Sequence, residues 1–347
     1  MVFSGDSEIV DIAVHRTGNK QLEEELFLSG SSLHPDEKMK DLLLHYFLLP
    51  FKTDLFYHFS SEEEGLAKNP VYRAVSDIFD DPGRLYEQSL ILARYLYDHS
   101  THPHIKGGEF YTVYFKDCIL EDEIVDVIGL FKSENKDTFL KVEPDGSGIT
   151  LKYDQGINIH KLDKGCLIFN TEKESGYKVA VIDQTNRSSE ARYWTEGFLH
   201  VSQRKDGYYH TKEILSVCKN YITEELPRQF DVSKADQADL LNRSVKFFKE
   251  NDHFDMDTFT SEVMEQPEVI DDFARYKRDY QEEQEVEIAD CFAISEPALK
   301  KQGRVFKSVI KLDKNFHIYV HGNRELIQQG VDENGRKYYK IFYKEEN

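Results

Sequence analysis

EFYTVYFKDCI at Glu109–Ile119 and EIVDVIGLF at Glu123–Phe131 are rich in β-branched and aromatic residues and change the chain's hydrophobic period to two. Further runs of this kind follow: TFLKV at 138–142, ITLKY at 149–153, CLIFN at 166–170 and YKVAVID at 177–183. The turn formers Pro144-Asp145-Gly146-Ser147-Gly148 and Glu174-Ser175-Gly176 separate them. The connections leave no room for crossover helices, so the spacing predicts a central antiparallel meander.

Outward from this centre the pattern becomes helical. Upstream, Pro35 with Asp36 and Glu37 marks a helix start, and Met39, Leu42, Leu43, Tyr46 and Leu49 recur at helical spacing until Pro50. Asn69-Pro70 starts a second helix with Val71, Val75, Ile78 and Phe79 inward, and Asp81-Pro82-Gly83 stops it before a third that carries Leu85, Leu92 and Leu96. Residues 9–16 (IVDIAVHR) and 22–29 (LEEELFLS) read as an N-terminal hairpin around Thr17-Gly18-Asn19. Downstream, helices are expected at 211–226, 233–250 and 256–283, with a short one at 296–302. Strands at 305–312 and 315–321 follow, then a hairpin turning at Asp332-Glu333-Asn334-Gly335 before YYKIFY. Segregated helical and strand runs predict an α+β fold rather than a doubly wound sheet. Two domains are expected. The first is an α+β domain over 1–220, and the second covers 221–347, an acidic helical region followed by basic antiparallel strands.

The 347 residues are 39% hydrophobic and 13% aromatic, which excludes disordered and fibrous classes. No run of 18 uncharged apolar residues and no signal-peptide pattern occurs, so a cytoplasmic protein without membrane contact is expected. Cys118, Cys166, Cys218 and Cys291 are too dispersed for a zinc knuckle or a disulfide framework, and are expected reduced and mostly buried.

Charge is distributed unevenly. The net charge is −20, but residues 221–296 alone hold 8 basic and 21 acidic side chains, whereas 297–347 hold 11 basic and 6 acidic. Between Leu299 and Arg324 the cations Lys300, Lys301, Arg304, Lys307, Lys311, Lys314 and Arg324 face one acid, Asp313. This segment is the candidate phosphate-contacting surface; the competing reading is a solvated patch that pairs with the acidic stretch before it. His317 and His321 fall on one side of the strand NFHIYVHG and could add charge that depends on pH.

Motifs for chemistry are sparse. Neither GxGxxG nor GxxxxGK[ST] occurs, which removes support for nucleotide binding through a glycine-rich loop, and no GxSxG elbow is present. No cofactor or metal is expected. Asp252, Asp255 and Asp257 lack the glycine and the closing glutamate of a calcium loop and read as a helix start. His102-Pro103-His104 has no third ligand at a telling distance, so a loop is the better reading. His58-Phe59-Ser60 and His200-Val201-Ser202 resemble the paired H-x-[ST] units of some phosphoesterases, against a reading of His58 as packed between Tyr57 and Phe59. Asp126 with Glu134-Asn135-Lys136 loosely matches an acid…ExK layout for Mg²⁺-dependent nuclease chemistry, though 134–136 falls in an expected turn.

HRTGNK at 15–20, YFLLPF at 46–51, GEFYTVYFKDC at 108–118, FKSENKDTFLKV at 131–142, KLDKGCLIFN at 161–170 and FKSVIKLDKNFHIYVHG at 306–322 resemble the bacterial 37-kDa nucleoid-associated protein family of the YejK/NdpA type. The likeness runs from about residue 8 to the end of the chain. It implies a bacterial protein of the cytoplasm and nucleoid, of no known enzymatic activity, with no agreed catalytic motif and no residue-level DNA-contact signature to transfer. The site assignment therefore rests on charge. The expected function is non-specific contact with the DNA backbone through Lys300, Lys301, Arg304, Lys307, Lys311, Lys314 and Arg324. The alternative is an acidic adaptor that docks on a DNA-processing enzyme such as a topoisomerase, and a metal-dependent nuclease ranks lower. A homodimer would double the basic surface.

Overall fold

The computed structural model describes residues 7–51, 55–60, 65–120, 123–184, 193–303, 306, 309–312, 315–320, 326–343 and 345. Two compact units divide the chain, residues 1–204 and 205–347. The architecture is α+β.

The first unit runs β1 (Glu8–Thr17), α1 (Glu37–Leu48), β2 (Phe56–Phe59), α2 (Pro70–Asp80), α3 (Leu85–His99), β3 (Gly108–Leu120), β4 (Glu123–Ser133), β5 (Asp137–Asp145), β6 (Gly148–Gly156), β7 (Lys164–Phe169), β8 (Lys178–Asp183) and β9 (Val201–Gln203). Seven strands form one sheet in the order β1-β3-β4-β7-β8-β2-β9, with every neighbouring pair antiparallel. The expected meander is present as β3, β4, β7 and β8, but β5 and β6 leave the sheet as a separate two-stranded ribbon. Side-chain chemistry explains the split. Cys166, Leu167, Ile168 and Phe169 of β7 are buried on both faces, a place that the charged alternate positions of β5 and β6 could not occupy.

One face of the sheet packs Phe110, Tyr114, Ile128, Leu130, Cys166 and Ile168 against α2, α3 and the π-helical turn Tyr193–Leu199, where Trp194 is fully buried. Asn69 makes this helical layer possible. Its side chain accepts from the amides of Val71 and Tyr72 and donates to the Leu199 carbonyl at 3.0 Å, capping α2 and tying it to the 193–199 segment. The other face packs Phe115, Phe131, Leu167 and Phe169 against the end of α1 and Phe51, and Phe47 stacks on Phe131 at 4.2 Å. Only the last turn of α1 is buried, through Tyr46, Phe47 and Leu48; Met39, Leu42 and Leu49 are exposed despite their helical spacing. Gly176 takes φ +88°, and a Cβ there would stand 2.3 Å from the Phe59 carbonyl oxygen, so glycine alone suits the approach of the β7–β8 turn to β2.

The expected N-terminal hairpin does not form. β1 spends its ladder on β3, and residues 22–29 contribute a single bridge, Arg16 to Phe27. Asn19 curls the chain by accepting from the amides of Gln21 and Leu22, and Glu23 sits at φ +56°, outside strand geometry.

The second unit runs α4 (Gly207–Asn220), α5 (Leu226–Gln229), α6 (Lys234–Glu250), β10 (His253–Asp255), α7 (Met256–Phe259), α8 (Pro267–Glu283), β11 (Cys291–Ala293), α9 (Glu296–Gly303), β12 (Val309–Leu312), β13 (Phe316–Tyr319), β14 (Ile327–Val331) and β15 (Lys337–Ile341). Its core gathers Ile214, Cys218, Tyr221, Phe247, Phe254, Phe259 and Phe273. The single helix expected at 256–283 is broken in two, because Glu265 takes φ +63° and Pro267 starts α8. β10 pairs with β11, a small ladder that periodicity does not reveal. β12–β13 and β14–β15 are separate antiparallel hairpins, as the C-terminal pattern predicts.

Candidate functional site

The basic segment is positioned by its apolar neighbours. In α9, Ala298 and Leu299 are buried, which turns Lys300 and Lys301 outward. Lys300 Nζ lies 2.7 Å from the Glu296 carboxylate one turn earlier, a solvent-exposed pair that leaves most of the ammonium accessible. In the β12–β13 hairpin, Ile310 faces Ile318 and packs towards Ala235 and Ala238 of α6. Alternation then puts Lys311 on the outer side, exposed and directly across from His317. The structure thus pairs Lys300 with Lys301 in one helical turn and Lys311 with His317 across one ladder. Arg304, Lys307, Lys314 and Arg324, together with His321, lie outside the described residues.

The acidic counterpart is α8. Val269 and Phe273 anchor it to the core, and Glu268, Asp271, Asp279, Glu282 and Glu283 are exposed. Asp272 alone among its acids is buried; it accepts from Tyr221 Oη at 3.0 Å and pairs with Arg275.

A third constellation escapes sequence reading. Lys132 of β4 and Lys164 of β7 are fully buried and stand directly opposite each other, and Lys164 stands opposite Asp183 of β8, 2.7 Å from its carboxylate. Lys132 Nζ donates to the Lys106 carbonyl at 2.7 Å and to Tyr193 Oη at 3.2 Å, and lies 3.1 Å from Glu134, whose side chain is 3% exposed. Tyr193 in turn donates to Glu134 at 2.7 Å. Burial pulls the Lys132 ammonium below its ordinary value, with Glu134 opposing, and pushes the Tyr193 phenol well above its own. Asp163 receives the backbone amides of Glu134 and Asn135 at 2.6 and 2.8 Å and the Asn135 side chain at 2.7 Å. A cleft of about 380 Å³ opens beside this knot, lined by His104, Lys106, Glu134, Asn135, Lys161 and Asp163. Glu134 and Asp183 offset the two ammoniums, and Asp163 is held by three internal donors. Its effect is to lock the turn that leads from β4 into the β5–β6 ribbon. The only sequence signal was a lysine inside each of the apolar runs GLFKS and KGCLIF.

The nuclease-like pair does not converge. Asp126 accepts from Tyr114 Oη at 2.6 Å, and Glu134 lies eight residues further along the same extended chain, about 26 Å away, so one ion cannot bridge them. The two H-x-S triplets do come together on β2 and β9, with Ser60 Oγ 2.8 Å from Ser202 Oγ. Their imidazoles differ in setting: His200, at φ +51°, sits 2.8 Å from Tyr95 Oη, while burial, with the Arg204 charge adding, holds the His58 imidazole below its ordinary value. Asp255 caps α7 by accepting from the Thr258 amide, the helix-start role expected of the 252–257 acids. Cys118, Cys166 and Cys218 are buried thiols and Cys291 is exposed. Among the described residues, no three His, Cys, Asp or Glu side chains are grouped to hold a metal, and no helix is long and apolar enough to cross a membrane.

Fold and surface together define an acidic α+β protein that separates an acidic helical face from a basic C-terminal segment. The chain belongs to the bacterial family of nucleoid-associated protein YejK, whose family model matches residues 13–340. It is a family of nucleoid-associated proteins and not a known enzyme family. No curated protein matches the chain.

Proposed function

We propose that this nucleoid-associated protein touches the DNA phosphate backbone without reading base sequence, through Lys300, Lys301, Arg304, Lys307, Lys311, Lys314 and Arg324. The observation that carries the reading is the outward presentation of Lys300, Lys301 and Lys311 by buried Ala298, Leu299 and Ile310, in a segment of seven cations and one acid. Such a surface binds weakly and with steep salt dependence, the acidic remainder of the chain opposing any wider contact. Fluorescence anisotropy of a labelled random-sequence duplex between about 20 and 200 mM salt tests it. A saturable signal that weakens in Lys300→Glu/Lys301→Glu/Lys311→Glu supports the assignment; unchanged affinity at low salt in that variant removes it.

The acidic face of α8 favours a second reading, in which the protein docks on the basic surface of a DNA-processing enzyme and reaches the nucleoid indirectly. Neutralising Asp271, Asp279, Glu282 and Glu283 then abolishes nucleoid localisation and leaves duplex binding intact. Unchanged localisation and co-purifying partners would remove this alternative.

A further inference from the structure

We propose that the β5–β6 ribbon is a self-association arm, covered on its apolar face by the same face of a second copy of the chain. Nine cross-strand rows align Asp137 with Gly156 at the base and Asp145 with Gly148 at the tip, and the two-residue turn between them places Gly146 at φ +59°. Directly opposed residues share a face. Three consecutive apolar rows, Leu140 with Tyr153, Val142 with Leu151 and Pro144 with Ile149, therefore lie on one side. The intervening rows place Lys141 with Lys152 and Glu143 with Thr150 on the other.

Charge divides between the two sides without exception along these rows. The charged side is satisfied inside the ribbon: Lys141 pairs with Asp154 at 3.1 Å, Lys152 with Glu143 at 2.6 Å, and Thr150 donates to Asp145 at 3.0 Å. Among the described residues of the first unit, the apolar side has no partner. Leu140, Val142, Ile149, Leu151 and Tyr153 are between 64 and 78% exposed. A two-stranded ribbon is marginal in water unless such a face is covered, and a contiguous exposed patch of this kind marks an association surface.

Three considerations select a second copy as the occupant. The face carries no charge, so a basic or acidic macromolecule finds nothing to pair with, and nucleic acid would meet the net acidic opposite side. A face of three apolar rows, with the uncharged polar row Thr138 with Gln155 at its base, is complementary to itself, as an isologous contact about a two-fold axis requires. The size also fits: five side chains at roughly 100 Å² apiece give about 500 Å² per ribbon and about 1,000 Å² for the pair, the floor for a specific interface and the weak end of its range. The base is rigid enough to present the arm. Asp163 fixes the entering turn, and Asp137 accepts from Asn158 at 2.8 Å and pairs with Lys161 at 3.1 Å, holding both ends.

Sedimentation velocity of the full chain without DNA, from about 1 to 200 µM, tests the proposal independently of DNA binding. The expected result is a monomer–dimer equilibrium within that range, weakened at least tenfold in Leu140→Gln/Leu151→Gln and unchanged in Lys141→Gln/Lys152→Gln on the opposite face. Both variants alter side chains exposed in the monomer, so circular dichroism should show an intact fold. In a Cys291→Ser background, Leu151→Cys, in the middle apolar row, should give a disulfide-linked dimer on mild oxidation. A monomer at every concentration overturns the proposal, as does a dimer indifferent to the apolar-face variant.

Discussion

His15 should make the first unit acid-labile. It lies on β1, 1% exposed, with Nε2 2.8 Å from Ser89 Oγ and Nδ1 accepting from the Ser29 amide at 3.1 Å. Ser89 commits its own proton to the Tyr86 carbonyl at 2.7 Å, so Ser89 Oγ accepts from the imidazole and the neutral Nε2–H tautomer is imposed. A second proton would have to sit on Nδ1, facing the Ser29 N–H. Burial, with the Arg94 charge adding, holds the folded pKa near 4 against 6.5. Between those values the unfolded chain binds the extra proton and the folded one does not. The stabilisation is therefore fully present above about pH 6.5 and is lost as pH falls towards 4. From pH 7.5 to 4.5 the loss is about 2.5 kcal/mol. Urea titration followed by the fluorescence of Trp194, the sole tryptophan and fully buried in this unit, reads it directly. His58 and His200 are shifted in the same direction, so the informative quantity is the difference from His15→Gln. That variant should be less stable at pH 7.5 and lose about 2.5 kcal/mol less on acidification. Equal pH dependence in the two proteins refutes the assignment.

Two further perturbations probe the scaffold by the same titration. Lys132→Met leaves Glu134 buried without its cation and should cost about 3–5 kcal/mol; adding Glu134→Gln should recover part of that loss, whereas additive costs would deny the coupling. Asn69→Ala removes the cap of α2 and strips the Leu199 carbonyl of its donor, for about 2–3 kcal/mol; a loss under about 0.5 kcal/mol would mean that the cap does not tie α2 to the 193–199 segment.

Much of this architecture was legible because local chemistry and tertiary packing agreed. Asn69-Pro70, the apolar spacing of Val71, Val75 and Ile78, and the turn at Glu174-Ser175-Gly176 each state what the fold uses. The failures fall where pairing is decided at long range. Residues 22–29 look like a strand partner, but β3 takes β1 instead. The 137–156 runs look like two more strands of the meander, and only the charged alternate positions hint that they stand apart. At the candidate sites, the outward placement of Lys300, Lys301 and Lys311 was readable because alternation with apolar residues is local. The Lys132–Lys164 knot was not, since it depends on three strands aligning and on Tyr193 arriving from about sixty residues downstream.

Phosphate contact and self-association meet in the salt dependence. Each phosphate neutralised on a duplex contributes about −0.9 to the slope of log affinity against log salt, so raising salt from 50 to 200 mM costs about 0.54 log units per contact. Lys300, Lys301 and Lys311 of one chain together weaken binding roughly 40-fold over that range, while the same three on both chains of a dimer weaken it more than roughly 1,000-fold. Leu140→Gln/Leu151→Gln adds no charge and lies outside the basic segment. Measured by anisotropy above the parent's dimerisation threshold, it should halve the slope and leave the contacts of each chain intact, whereas Lys300→Glu/Lys301→Glu/Lys311→Glu should reduce the slope while the protein remains dimeric. A ribbon variant that is monomeric yet keeps the parental slope would mean that a single chain makes all the phosphate contacts, so that dimerisation serves something other than DNA affinity.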